Sequence, residues 1–215
     1  MKELTIALAK GRLADKSIEL LEKCGVDCEE LKNQGRRLIF YDKKNSIRFL
    51  LAKPTDVPTY VEYGVADIGI VGKDTLLEAD APVYEILDLG FARCTLCIAA
   101  YAEQNGRAIT SVSKRVATKY PNIARSYYQS KGEPIEIIKL NGSVEIGPLL
   151  GLSDVILDIV ESGKTLVENN LAILEKICDI STRLIVNRIS LKTKHSRVEW
   201  LINSIKEVFA NDKEA

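Results

Sequence analysis

Strand-like and helix-like segments alternate along nearly the whole chain, and this order limits the folds open to it. Short apolar runs such as Leu4–Ala9 and Val155–Val160 have the length and composition of buried strands. Between them lie segments with helical periodicity, several of which end at a glycine. Alternation of this kind is typical of an α/β fold whose sheets are mostly parallel.

The same patterns place the individual elements. We predict a hairpin around Lys43–Ser46 and a further helix starting at Thr75–Glu78. The other predicted helices are Ala14–Lys23, Thr55–Tyr63, Asn122–Lys131 and His195–Ala210. The predicted strands are Leu4–Ala9, Arg37–Asp42, Ile47–Ala52, Asp67–Val71, Tyr84–Leu89, Thr95–Tyr101, Arg115–Lys119, Ile135–Leu140 and Val155–Val160.

Two positions are candidates for chain crossings between domains. One strand follows another across Gly90 near Leu89–Cys94, and a return is expected near Cys178–Arg183. We therefore expect two lobes with mostly parallel sheets around a central cleft. Residues 1–91 with 180–215 would form domain I, and residues 92–179 would form domain II. A ligand is expected in the cleft, beyond the carboxyl ends of the strands.

Charge and cysteine content exclude several classes of protein. Lys plus Arg equals Asp plus Glu at 30 each, which does not favour a nucleic-acid surface. The apolar run at the start is too short for a signal peptide or a membrane span, so we expect a cytoplasmic protein. Five cysteines form no regular framework and are expected to be free thiols. Cys94 and Cys97 are read as buried small hydrophobes, and His195 is given no catalytic role.

The segment Asp154–Leu166 carries the strongest functional pattern. An apolar run with two acids four residues apart breaks into Glu161-Ser162-Gly163-Lys164-Thr165. A turn of this kind exposes backbone N–H groups, a Thr hydroxyl and a helix N-terminus, which together suit a phosphate. The neighbouring acids suit hydroxyl groups or a metal ion, so the segment indicates a phosphorylated sugar as ligand.

Two other readings of that segment are a nucleotide-binding P-loop and a strand–turn–helix without a ligand. The P-loop motif needs a glycine five residues before the Gly of its Gly-Lys pair, and that position here is Asp158. A carboxylate would then face the triphosphate. This argues against the P-loop, whereas the segment alone leaves the reading without a ligand open.

Four basic clusters also follow predicted strands, so they are candidates for the same cleft. Each alone would more often be a solvated loop, but together they predict a cleft for one heavily phosphorylated substrate or two. Glu145 and Asp158 are the favoured hydroxyl binders, because a charge within an apolar run is costly unless it is paired or ligated. Two roles remain open for Asp154, a structural one and a contact with the substrate. The clusters are Lys10-Gly11-Arg12, Arg36-Arg37, Gly72-Lys73-Asp74 and Ala117–Arg125.

The motifs taken together resemble the ATP phosphoribosyltransferase family, the first enzymes of histidine biosynthesis. The family signature, a Glu followed by small residues, an Asp and then [ST]-G-x-T-[LM], matches throughout Glu145–Leu166. The resemblance covers nearly the whole chain, with a departure at Lys53, where relatives often carry Arg. Further similar segments are Ala9–Arg12, Thr55–Val61, Ala66–Asp74, Ala117–Tyr120 and Ser181–Asn187.

The resemblance implies a reaction and roles for named residues. The 5-phosphoribosyl group of phosphoribosyl pyrophosphate would pass to N1 of ATP, with Mg²⁺ as cofactor and a periplasmic-binding-protein-like fold. Glu161, Ser162, Gly163, Lys164 and Thr165 would hold the 5′-phosphate, and Glu145 and Asp158 the ribose hydroxyls. Arg12 and Arg36 would be catalytic and stabilise the phosphates, with Lys10, Gly11 and Lys73 binding ATP or pyrophosphate.

The resemblance also implies partners. The chain stops soon after Ser181–Asn187 and one helix, as the short form of the family does. Short-form enzymes are expected to be homodimers that assemble with a regulatory subunit related to histidyl-tRNA synthetase into a hetero-oligomer. The rival functional class is a non-catalytic solute-binding protein, which also has two α/β lobes around a cleft.

Overall fold

A computed structural model describes residues 2–33, 35–101 and 113–214. Its contacts divide the chain into two compact units. The first contains Met1–Ala92 and Ser181–Ala215, and the second contains Arg93–Ile180.

The alternation of strands and helices expected from the sequence is present. Within the described ranges, the strands are β1 Leu4–Ala9, β2 Ile39–Asp42, β3 Ile47–Ala52, β4 Ile68–Gly72, β5 Tyr84–Asp88, β6 Cys94–Tyr101, β7 Lys114–Thr118, β8 Ile135–Lys139, β9 Val155–Val160, β10 Leu171–Ile180 and β11 Thr182–Val186. The α-helices are α1 Arg12–Lys23, α2 Glu29–Lys32, α3 Val57–Glu62, α4 Lys73–Ala79, α5 Pro121–Ser130, α6 Ile146–Leu149, α7 Lys164–Glu168, α8 Arg188–Thr193 and α9 His195–Glu214. A 3₁₀ turn at Pro54–Asp56 precedes α3.

The first unit contains a sheet with the strand order β2-β3-β1-β4-β11-β5. Strands β3, β1 and β4 pair in parallel, whereas β2 and β11 are antiparallel to their neighbours. Four of the six strands therefore run in one direction. The central strand β1 is buried along its whole length because both faces of the sheet are covered. Leu4, Ile6 and Leu8 pack with α1 and α9, and Ala7 and Ala9 pack with α3 and α4.

The second unit contains a sheet with the order β10-β6-β9-β7-β8. Strands β9, β7 and β8 pair in parallel, β6 is antiparallel to β9 and β10, and four of the five strands share one direction. Helix α5 covers one face of this sheet, and Leu166 of α7 packs on the other. Cys94 pairs with Ile180, so the first and last strands of the unit lie side by side.

These sheets confirm the predicted α/β class with mostly parallel strands. The predicted hairpin is confirmed, with β2 beginning two residues later than expected. Two strands were missed, β10 and β11. No helix among the described residues is both long and apolar enough to span a membrane.

A buried carboxylate at the start of β4 joins three elements of the first unit. Asp67 is 3% exposed and accepts hydrogen bonds from Thr5 N at 2.8 Å and Ser190 Oγ at 2.6 Å. Lys194 Nζ lies 2.7 Å from the same carboxylate. Because both oxygens are satisfied and a cation is present, the charge is tolerated in the interior.

We expect Asp67→Ala to lower the free energy of unfolding by about 3–5 kcal/mol, because it leaves the Lys194 charge and two buried donors without their partner. Urea unfolding followed by circular dichroism would measure the loss. Glu19→Ala, at an exposed acid within α1, is the control and should change the free energy by less than about 0.5 kcal/mol. A loss of similar size in both variants would contradict this account.

Candidate active site

Three loops of the second unit lie at one edge of its sheet, at the carboxyl ends of β9, β7 and β8. The parallel register sets Thr118 beside Lys139, so β7 and β8 end together, and beside Leu157, so β9 extends three residues further. The loop after β9 contains Glu161–Gly163, and the connection after β8 leads to Glu145. The structure therefore brings Glu145 and the 161–165 segment to the same edge. The loop after β7, with Lys119 and Tyr120, lies between them.

The loop after β9 is a tight turn whose shape depends on Gly163. This residue has a φ of 75°, in the left-handed region that glycine adopts without strain. Its carbonyl accepts a hydrogen bond from Val167 N at 3.1 Å, which begins α7. Glu161, Ser162, Lys164 and Thr165 are all exposed. A cavity of about 270 Å³ borders this turn and is lined by Ser162, Gly163, Lys164, Val167 and Glu168.

Asp158 and Asp154 occupy different ends of β9. Asp158 is half-buried near the carboxyl end, where one of its oxygens accepts a hydrogen bond from Ile159 N at 2.9 Å. Asp154 precedes the strand, at the opposite edge of the sheet, and pairs with Arg115 Nη2 at 3.0 Å. Arg115 N also donates to it at 2.8 Å. Burial opposes ionisation of Asp154, but these bonds from Arg115 hold its pKa below its usual value.

The position of Glu145 depends on a close contact beneath α6. Glu145 is half-buried and immediately precedes this short helix. A Cβ atom added to Gly147 would lie 2.7 Å from Ser153 Oγ and 2.9 Å from the Ala117 Cβ. Only glycine allows α6 to approach β7 and β9 this closely. The contact fixes α6 against the sheet, and Glu145 immediately precedes this helix.

A corresponding edge exists in the first unit, at the carboxyl ends of the adjacent strands β3, β1 and β4. Each of these strands is followed at once by a lysine, and in sheet order these are Lys53, Lys10 and Lys73. Lys10 N donates to Ala52 O at 2.9 Å, which keeps the first two side by side. Gly11 has a φ of 92° and open space where a side chain would lie. Arg12, the first residue of α1, is exposed.

The lysines differ in their surroundings. Lys10 and Lys53 are exposed, whereas Lys73 is half-buried and forms an ion pair with Glu85. Arg183 contacts Glu85 at 3.4 Å and Asp88 at 3.0 Å. The sequence reasoning missed Glu85 and its partners, because only the register of β5 against β11 brings them to Lys73.

Arg36 lies in the connection between α2 and β2 and is exposed. Its neighbour Arg37 has local partners: the guanidinium lies 5.1 Å from the Phe40 ring centre and 3.4 Å from Glu30. Two adjacent arginines of one predicted cluster therefore differ in their environment. Leu51 N donates to Leu38 O at 2.9 Å, so the antiparallel pairing of β2 with β3 brings Arg36 to the carboxyl end of β3, near Lys53.

The cysteines are free, as expected, and Cys97 is fully buried on β6. Burial raises the pKa of the Cys97 thiol, which disfavours a reactive thiolate. His195 is exposed at the start of α9 and lies 3.3 Å from Glu199.

Comparison with known proteins identifies the family. The family model described as "HisG: ATP phosphoribosyltransferase" matches residues 53–207. An ATP phosphoribosyltransferase of Ruminiclostridium cellulolyticum is 58% identical over 208 residues, covering 96% of this chain and 97% of that protein. The chain belongs to the ATP phosphoribosyltransferase family. A homologue from Bacillus cereus is 51% identical over 213 residues, covering 99% of this chain and all of that one.

A solved structure with the same fold is described as an "ATP phosphoribosyl transferase (HisG:HisZ) complex from Thermotoga maritima". It has 39% sequence identity and a TM-score of 0.85, covering 97% of this chain and 99% of that one. The fold is therefore of the periplasmic-binding-protein-like class. Like its family, the chain transfers the 5-phosphoribosyl group of phosphoribosyl pyrophosphate to N1 of ATP, the first step of histidine biosynthesis.

ATP phosphoribosyltransferases use a metal ion in catalysis. Among the residues that the structure describes, no three His, Cys, Asp or Glu side chains are grouped to hold one. A cation that binds together with substrate phosphates needs only one or two carboxylates from the protein, and Glu145 and Asp158 are half-buried carboxylates of the second unit.

The close packing of α6, the helix that Glu145 precedes, can be tested by adding a methyl group at Gly147. We expect Gly147→Ala to lower the free energy of unfolding by about 1–3 kcal/mol, because the added methyl overlaps Ser153 and Ala117. Chemical denaturation would measure this loss. Gly142→Ala, in open space, is the matched control and should have little effect. Equal stability of the two variants would show that the packing is not tight.

Proposed function

We propose that the turn after β9 holds the 5′-phosphate of phosphoribosyl pyrophosphate. The proposal is supported chiefly by the left-handed Gly163, which leaves exposed Ser162 and Thr165 hydroxyls and the Lys164 ammonium around one tight turn. Turn N–H groups, hydroxyls and an ammonium are the groups that bind phosphate oxygens. Glu161 completes this segment, and the cavity beside Ser162 and Gly163 gives it open space.

We propose that Glu145 and Asp158 hold the ribose hydroxyls. Both are half-buried acids of the second unit's carboxyl edge. An ionised carboxylate accepts hydrogen bonds and can bind two hydroxyl donors. Asp154 is assigned a structural role instead, because both of its oxygens are engaged by Arg115.

The cationic groups of the first unit are proposed to act on the phosphates of ATP and on the leaving pyrophosphate. Arg12 and Arg36 are the proposed catalytic residues, and Lys10, Gly11 and Lys73 the proposed binding residues. Gly11 has no side chain to obstruct an approaching phosphate, and Lys10 is exposed beside it. Guanidinium groups bind phosphate through paired N–H donors, which suits charge that grows on the leaving group.

The chemistry requires little proton transfer by the protein. The adenine N1 lone pair forms a bond to the anomeric carbon as that carbon's bond to pyrophosphate breaks, and the bonding electrons leave with pyrophosphate. The carbon is most cationic between these events, so the enzyme contributes mainly by positioning and by electrostatic stabilisation. Bound Mg²⁺, the proposed metal, would neutralise pyrophosphate charge.

The proposed assembly follows the family resemblance and the Thermotoga maritima complex. We propose that the chain forms a homodimer, which joins a regulatory subunit related to histidyl-tRNA synthetase. A cytoplasmic location is proposed because the reaction consumes ATP.

We expect Thr165→Ala to raise the KM for phosphoribosyl pyrophosphate about ten-fold, because a hydroxyl donor to a charged phosphate is lost. The KM for ATP should change less than two-fold. Steady-state formation of phosphoribosyl-ATP, followed by its absorbance, would measure both. Thr59→Ala, at an exposed threonine of α3, is the control. An unchanged KM for phosphoribosyl pyrophosphate would remove Thr165 from the phosphate site.

Arg36→Ala should lower kcat by about 100-fold with little change in melting temperature, because an exposed guanidinium contributes to the reaction and not to the fold. Arg37→Ala is the matched control: it should affect stability through Phe40 and Glu30 and leave kcat within about three-fold. Both should be assayed with and without the regulatory subunit. Equal loss of turnover and stability in the Arg36 variant would make that residue structural.

A further inference from the structure

The Lys73 side chain is held by an ion pair with Glu85 of β5. Lys73 directly follows β4, whose last residue is Gly72. Its ion-pair partner Glu85 lies opposite Ile185 of β11, which in turn pairs with Gly69. Glu85 is thus about three residues, or about 10 Å, back along the strands from the carboxyl edge. The Lys73 ammonium is engaged by Glu85, whereas Lys10 and Lys53 are exposed.

A second cation keeps Glu85 in place. Arg183 Nε lies 3.4 Å from one Glu85 oxygen, and Arg183 Nη1 lies 3.0 Å from Asp88. Ser181 Oγ donates to the other oxygen of Asp88 at 2.7 Å. The Arg183 Nε contact is an ion-pair distance without a hydrogen bond, and it leaves Glu85 a cationic neighbour if Lys73 leaves.

Before Lys73 can bind a phosphate, its ion pair with Glu85 must break. The ligand must offset the free-energy cost of breaking that pair. The side chains of Lys73 and Glu85 are only 24% and 29% exposed, so solvent screens their attraction less than that of a surface pair. Once Lys73 departs, Arg183 is the cation shared by Glu85 and Asp88. A ligand carrying several phosphate charges can offset this loss, because it offers Lys73 a stronger anion.

We propose that Glu85 is a positioning residue that acts through Lys73 and sets the affinity for the substrate whose polyphosphate Lys73 binds. Glu85 holds the Lys73 ammonium in a partly buried ion pair, and a polyphosphate chain competes with Glu85 for it. The apparent affinity for that polyphosphate is then proportional to the fraction of molecules in which Lys73 is not paired with Glu85. This inference rests on the proposed phosphate-binding role of Lys73, and it adds a residue outside the substrate contacts.

Glu85→Gln is the principal test, because it removes the charge that competes for Lys73 and keeps the side-chain length. The KM of one substrate, ATP or phosphoribosyl pyrophosphate, should fall about three- to five-fold while the other stays within about two-fold. Measuring both values identifies which polyphosphate Lys73 binds. Calorimetry with inorganic tripolyphosphate should show the same gain in affinity without turnover. The enzyme should be studied in the assembly in which it is purified.

Two further variants separate this mechanism from a general charge effect. In Lys73→Met, the same KM should rise about ten-fold, and adding Glu85→Gln should then produce no gain. Glu62→Gln removes one exposed acid from the neighbouring helix α3 and should leave both KM values unchanged. If Glu85→Gln does not fold, Glu85→Asp is the alternative; its shorter side chain weakens the Lys73 contact and should give a smaller fall in KM.

The outcomes separate the role of Glu85 from the proposed phosphate-binding role of Lys73, on which it rests. A KM that rises in Lys73→Met but does not fall in Glu85→Gln would overturn the role of Glu85 and leave Lys73 as a phosphate ligand. A gain from Glu85→Gln that persists in the Lys73→Met background would also overturn it. Unchanged KM values in Lys73→Met would overturn both assignments.

Discussion

Parallel strand pairing is the constraint on which both candidate substrate regions depend. In each unit three adjacent strands run in parallel, so their carboxyl ends and the loops that follow are held side by side. In the second unit this register aligns the turn around Gly163 with the connection that leads to Glu145. In the first it aligns the three lysines that follow β3, β1 and β4. Because hydrogen-bonded strands lie about 4.8 Å apart, such loops are spaced on the scale of neighbouring phosphate groups.

The sequence was most informative where burial is complete. Strand β1 was predicted with its observed bounds, because a continuous apolar run is the pattern of a strand covered on both faces. Strand β10 was missed since it is an edge strand, with Glu175, Lys176 and other exposed residues in its middle. Strand β11 is short, and its first two residues fall in the segment Cys178–Arg183 that was read as a chain crossing.

The candidate site was predicted in part. The turn Glu161–Thr165 and Glu145 could be found because their residue types and spacing carry the information. The role of Asp154 could not be settled that way, since it depends on Arg115, which is distant in the sequence and adjacent only through the parallel pairing of β7 and β9. The partner of Lys73 likewise depends on strand register. Sequence patterns locate groups along an element, whereas ion pairs across a sheet follow from tertiary structure.

The pairing of Cys94 with Ile180 has a consequence for how such a chain can be built. Both ends of the second unit lie on neighbouring strands, within about 6 Å of each other. On the other side of each junction, Thr182 N donates to Phe91 O at 3.1 Å, so the two ends of the first unit's chain are equally close. The second unit is thus a complete insert between two adjoining points. A short turn could close the first unit in its absence, and the insert's own termini could be joined, so each unit can vary in sequence without altering the chain path of the other.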